Sequence, residues 1–131
     1  MVRSIFAVVV GMLVATTVML GLEFVAAWLV PLPAGELGDE ADLAARVAAA
    51  PLGKLAWVLA GWLVAAFAGG WVAARLSRVH RRPAALAVGA LIVLGVAINV
   101  WLLPHPLWMI LAGLAAPLPL AWLGGRLATR P

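Results

Sequence analysis

The stretch LAWVLAGWLVAAFAGGWVAAR (55–75) decides the fold. From Leu55 to Ala74 it carries no charge, and about 20 apolar residues are what a helix needs to cross a hydrocarbon core of about 30 Å. Small residues recur at every fourth position, Gly61, Ala65, Gly69 and Ala73. On a helix they form one ridge against which another backbone can lie closely. Lipid tails remove the hydrophobic drive between helices, so close approach and interhelical hydrogen bonds must hold a bundle together. This helix is therefore expected to be the most buried of its neighbours.

Three further segments read the same way, at about 4–30, 84–103 and 107–123. Ala7, Gly11 and Ala15 offer a shorter ridge on the first span, and Ala121 with Gly125 another on the fourth. Of 131 residues, 66% are hydrophobic and 11% charged, against roughly 45–50% and about 25% in soluble domains. A water-soluble fold of this size cannot hide that much apolar surface, so the bilayer must be the solvent. The expected fold class is an all-α membrane protein, one four-helix transmembrane domain over residues 1–131. Val25-Ala26-Ala27 resembles a signal-peptide cleavage site. The apolar run from Ile5 to Leu22 exceeds the usual 7–15 residues of a signal peptide, however, and is read as a retained span.

The charges set the threading. Arg3 precedes span one; Arg75, Arg78, Arg81 and Arg82 crowd the loop 75–83; Arg126 and Arg130 follow span four. The loop 31–54 instead holds Glu36, Asp39, Glu40 and Asp42 against Arg46 and Lys54. By the positive-inside rule both termini and the basic loop face the cytoplasm. Trp28, Trp57, Trp101 and Trp108 then fall near the outer membrane boundary and Trp71 and Trp122 near the inner one, as indoles prefer. Trp62 lies deeper, where packing explains it. The Ala/Arg-rich, Lys-poor composition fits a GC-rich bacterial genome, and the expected location is the bacterial inner membrane. Arg75, Arg78, Arg81 and Arg82 should attract anionic lipid head groups at about 1 kcal/mol per basic residue. Because the arginines sit at helix ends rather than on one face, the net charge of +4 is not read as a nucleic-acid surface.

Two segments end alike, WLVPLP (28–33) and WLLPHP (101–106), and two others close with GGWVAAR (69–75) and GGRLATR (124–130). Proline stops a helix because it lacks an amide donor and restricts its predecessor. Two readings stand side by side. Spans 1–2 and 3–4 form two similar hairpins related by an axis along the membrane normal, as parallel repeats do; or these are ordinary endings in an Ala/Leu/Val-rich chain. Pro117, inside span four, should free the carbonyl of Gly113 and bend that helix. In the outer loop, DEADLAARVAAAP (39–51) begins with Asp39 in a capping position and pairs Asp42 with Arg46 at i,i+4 spacing. Leu43, Val47 and Ala50 share a face, which predicts a short interfacial helix.

Few residues could carry chemistry. Glu23 is the only acid inside a span. An ionised acid at a helix centre costs about 2.5–3.5 kcal/mol on insertion scales, so a lone one is a functional candidate by default. It lies about 28 Å along the helix from Ser4, in the outer third. Asn99, about 24 Å beyond Pro83, is expected at similar height, and His105 stands near the same boundary between two prolines. Glu23, Asn99 and His105 are thus a candidate polar site. The plainer alternatives are a Glu23 that reaches the head groups or makes one interhelical hydrogen bond, and an Asn99 that joins helices.

No cofactor or metal is expected. The absence of cysteine excludes disulfides, Cys-ligated zinc, iron–sulfur clusters and thiol catalysis, and His80 lies on the opposite side from His105. No P-loop, H-E-x-x-H, G-x-S-x-G or Rossmann signature appears, and no span carries a pair of acids, so no catalytic residues are assigned.

The late Glu23, the VPLPAG exit (30–35), FAGGWVAAR (67–75) and NVWLLPHPLW (99–108) resemble a family of small four-span bacterial inner-membrane proteins for which no activity is assigned. That resemblance covers most of the chain and implies location and fold. The chain also resembles, more weakly, the small multidrug resistance transporters, which have four short helices and an essential glutamate in the first. There Glu23 is the residue carried over, although it comes late in its helix and the charge bias departs from that family's dual topology. The expectation is a non-enzymatic structural or accessory membrane component, associating with copies of itself or with another membrane protein. The alternative is a small proton-coupled transporter using Glu23.

Overall fold

The computed structural model describes residues 1–29 and 40–129, and in these it is helical throughout, with short turns. α1 runs Val2–Leu29, α2 Glu40–Ala48, α3 Leu52–Leu76, α4 Arg81–Leu102, α5 Leu107–Ala115 and α6 Pro117–Ala128. α1, α3, α4 and the α5–α6 pair are four helical spans long and apolar enough to cross a membrane. The chain is a multi-pass integral membrane protein built as a four-helix bundle, as its composition requires.

Proline marks the boundaries. Pro51 precedes α3 and Pro106 precedes α5, both in extended conformation. Pro104 follows α4, whose last turn closes with Leu103 N–H on the Asn99 carbonyl. Pro83 sits in the first turn of α4, where amides have no helical partner to lose. Residues 30–33 of the WLVPLP ending and the Asp39 cap lie outside the described residues, as does Arg130.

The spans are longer than their apolar runs. α3 begins at Leu52, so Lys54 belongs to its first turn rather than to a loop 31–54. The basic loop expected at 75–83 reduces to 77–80, with Arg75 closing α3 and Arg81, Arg82 and Pro83 opening α4. Charged residues extend each helix into the polar boundary, where a helix continues as readily as a coil. Span four is broken as expected: Ala116 separates α5 from α6, and Pro117, fully buried, leaves the Gly113 carbonyl without its helical partner. The short helix α2 forms within the segment 31–54.

α3 is the hub. It packs against α1, α4, α5 and α6, while α1 lies chiefly against α3 and α4. Its ridge of Gly61, Ala65, Gly69 and Ala73 is buried, and the α1 ridge of Ala7, Gly11 and Ala15 meets it. A Cβ on Gly69 would stand 2.7 Å from the Gly11 carbonyl oxygen and 2.9 Å from Ala15 Cβ.

One position along, Trp62, Ala66, Gly70 and Ala74 form a second buried ridge, which faces α5 and α6. Gly70 lies against the Ala121 backbone, and Gly124 against the Phe67 carbonyl. The double glycine 69–70 therefore serves two helices at once: at 100° per residue, Gly69 looks to α1 and Gly70 to α6. Spans two and four meet through Gly70, Gly124 and Gly125.

The helix ends are tied together. Arg3 Nε donates to the Leu76 carbonyl over 3.0 Å, filling one of the acceptors that a helix C-terminus leaves open. Arg75 lies 4.8 Å from the Trp71 ring centre and Arg126 5.3 Å from that of Trp122. Both are i,i+4 cation–π pairs that hold guanidinium groups at one end of the bundle. Arg3, Arg75, Arg78, Arg81, Arg82 and Arg126 all belong to that arginine end.

Candidate functional site

At the end opposite the arginines, beyond the contact of Gly11 with Val88, a cavity of about 420 Å³ opens. Glu23, Asn99 and His105 all line it, so the structure brings the three candidate residues to one place. They arrive from different elements: Glu23 from α1, Asn99 from the last turn of α4, and His105 from the turn between Leu103 and Pro106.

Lys54 also lines the cavity. Its Nζ donates to Glu23 Oε2 over 3.1 Å, with the lysine side chain 19% and the glutamate 40% exposed. Glu23 remains the only acid within the four spanning helices, but it is paired rather than isolated. Lys54 is the only lysine in the chain. Treating residues 31–54 as loop hid that pairing. Immediately beside the pair, Trp57 Nε1 donates to the Leu22 carbonyl over 2.9 Å, so α1 and α3 are joined there by a charge pair and an indole clamp.

His105 is oriented by its own turn. Its Nδ1 lies 3.0 Å from the Leu103 carbonyl oxygen. A carbonyl only accepts, so Nδ1 bears the proton and Nε2 is left as the acceptor of the neutral ring. The imidazole packs on Trp62, with ring centres 5.8 Å apart and planes at 57°. Trp62 is 6% exposed, and its six-membered ring occupies the space where Gly113 would carry a side chain. The Trp62 indole thus connects the polar site to the broken span.

The remaining walls are apolar: Met19, Leu55, Val58 and Met109 from the bundle, and Leu43, Val47 and Ala50 from α2 and its exit. The face predicted for the interfacial helix is thus the one turned to the cavity, together with Arg46. A smaller cavity of about 210 Å³ lies deeper between α1, α3 and α4 and shares Met19, Trp62 and Asn99 with the first.

In chemical terms, the site offers a fixed ion pair, an amide, an imidazole acceptor and an apolar wall. Among the described residues, no group of three His, Asp or Glu side chains could hold a metal ion. Comparison of the chain with protein-family models, curated proteins and solved structures returned no match.

Proposed function

We propose that the chain is a non-enzymatic structural or accessory component of the bacterial inner membrane, with its arginine end in the cytoplasm. One observation carries this reading. Below the cavity the bundle closes on backbone, where Gly11, Gly69 and Val88 are in contact, and a substrate path through one copy would have to cross that contact. Glu23 then has a mechanical role, joining α1 to α3 through Lys54. The arginines at one end support the orientation, because basic residues are retained on the cytoplasmic side. The four-span inner-membrane family that the sequence resembles is consistent with this reading.

A second reading is a proton-coupled transporter using Glu23. It is favoured by a different observation, the shared cavity of Glu23, Asn99 and His105. Proton flux into liposomes separates the two. The full chain is reconstituted, a pH gradient is imposed, and an internal dye reports acidification. The accessory reading expects no flux above empty liposomes, and the same trace for Glu23→Gln. Flux that Glu23→Gln abolishes would replace it with the second reading.

A further inference from the structure

A second hollow lies at the arginine end. It is a groove of about 410 Å³ between α1 and α4, open along the side of the bundle. Its walls are apolar, Ile5, Val8 and Val9 on α1 facing Pro83, Ala84 and Ala87 on α4. These spacings keep each set on one helical face. The groove ends where Gly11 meets Val88, about 10 Å along the helix from Ser4.

Its mouth is polar. Ser4 Oγ lies 3.3 Å from both Ser77 Oγ and His80 Nδ1, and Ser77 is fully buried. The contact with Ser4 engages Nδ1 of the imidazole and leaves Nε2 on the far side of the ring. Arg81 and Arg82 follow directly in the first turn of α4, where the helix dipole adds to their positive charge.

We propose that this groove is a lipid site: it holds the head-group end of one acyl chain of an anionic phospholipid, with the phosphate at the mouth formed by Ser4 and His80, in the positive field of the neighbouring Arg81 and Arg82. Charge complementarity and depth select the occupant. An apolar trough that starts at a hydroxyl- and imidazole-bearing rim beside the arginine cluster and runs along the side of a membrane-spanning bundle matches a phosphate followed by a hydrocarbon chain. The small residues Ala84 and Ala87 make the trough, since larger side chains there would fill it. The proposal rests on the arginine end lying at a bilayer surface and is independent of whether Glu23 moves protons.

The test is native mass spectrometry of the full chain extracted from vesicles of equimolar phosphatidylglycerol and phosphatidylcholine. The expected result is one retained phosphatidylglycerol, favoured over phosphatidylcholine by about thirtyfold, the ratio two basic side chains supply at a lipid surface. The double change Arg81→Gln with Arg82→Gln should bring that ratio close to one. Ala87→Phe and, from the opposite wall, Ile5→Trp should remove the retained lipid with every arginine in place. Circular dichroism checks folding, and because the two walls are filled independently, misfolding of one variant leaves the other to decide. Retention unchanged in a folded groove-filling variant would overturn the proposal in favour of surface attraction alone. Displacement of the lipid by inorganic phosphate at equal concentration would overturn it in favour of a phosphate site.

Discussion

Gly11 and Gly69 face each other across the contact of α1 and α3 so closely that a Cβ on either would stand 2.7 Å from the carbonyl oxygen of the other. The opposing group on each side is backbone, which cannot rotate away as a flexible side chain can. Val88 of α4 closes the same contact, 3.0 Å from a Cβ on Gly11 and 2.9 Å from one on Gly69. Three helices therefore depend on two missing methyl groups. Gly69→Ala should separate α1 from α3 and cost about 2–3 kcal/mol, the upper part of the usual range for overpacking. Reversible unfolding of the detergent-solubilised protein measures it. Gly21→Ala and Gly95→Ala are the controls. Nothing lies within 4 Å of a Cβ at either position, so the better helix propensity of alanine should leave stability equal or slightly raised.

The Glu23–Lys54 pair is partly open to solvent, which limits its worth. A double-mutant cycle with Glu23→Gln and Lys54→Met should give a coupling energy of about 1 kcal/mol, the upper end for exposed pairs. The charge swap Glu23→Lys with Lys54→Glu should recover more stability than either single change retains. Equal additivity of the single changes would mean that the pair contributes nothing.

Trp62 should matter more than either charge. Its indole touches His105 and fills the space above Gly113. Trp62→Ala should cost about 3–5 kcal/mol, the usual range for deleting a buried large aromatic side chain. Loss of the tryptophan also frees the imidazole, so the His105 ring signals in NMR should broaden or shift. Trp101→Ala, by contrast, removes a side chain that is 88% exposed and should alter the unfolding energy little.

Pro117 opposes two terms of similar size. Pro117→Ala supplies an amide to the Gly113 carbonyl, a gain of about 1 kcal/mol, and removes a fully buried ring. Stability should therefore change little while the break between α5 and α6 closes. Hydrogen exchange reads this directly, through slow exchange of the new amide at position 117.

Much of this was legible in the sequence for a physical reason: in lipid, helices are the economical way to satisfy a backbone, and small residues mark where two of them meet. The ridge from Gly61 to Ala73, the shorter one on α1, the break at Pro117 and the short helix α2 all followed from local spacing. The second ridge, from Trp62 to Ala74, did not stand out because tryptophan interrupts a run of small residues. That ridge only makes sense once Gly113 is seen beneath the indole. The partnership of Glu23 with Lys54 was missed because a helix was ended at its last apolar residue rather than at its last hydrogen bond. Similarly, the contacts among Ser4, Ser77 and His80 join residues more than seventy positions apart, which no local pattern specifies.

The central claim is a four-span bundle whose arginine end lies in the cytoplasm, and labelling of single cysteines tests it most directly. The native sequence has no cysteine, so each introduced thiol is unique. Val79, in the turn between α3 and α4, is 82% exposed, and Leu52, at the start of α3, is 69% exposed. Intact bacterial cells expressing Leu52→Cys or Val79→Cys are treated with a membrane-impermeant maleimide, before and after permeabilisation. The account expects Leu52→Cys to react in intact cells and Val79→Cys only after permeabilisation. Reaction of Val79→Cys in intact cells, with Leu52→Cys protected, would contradict it.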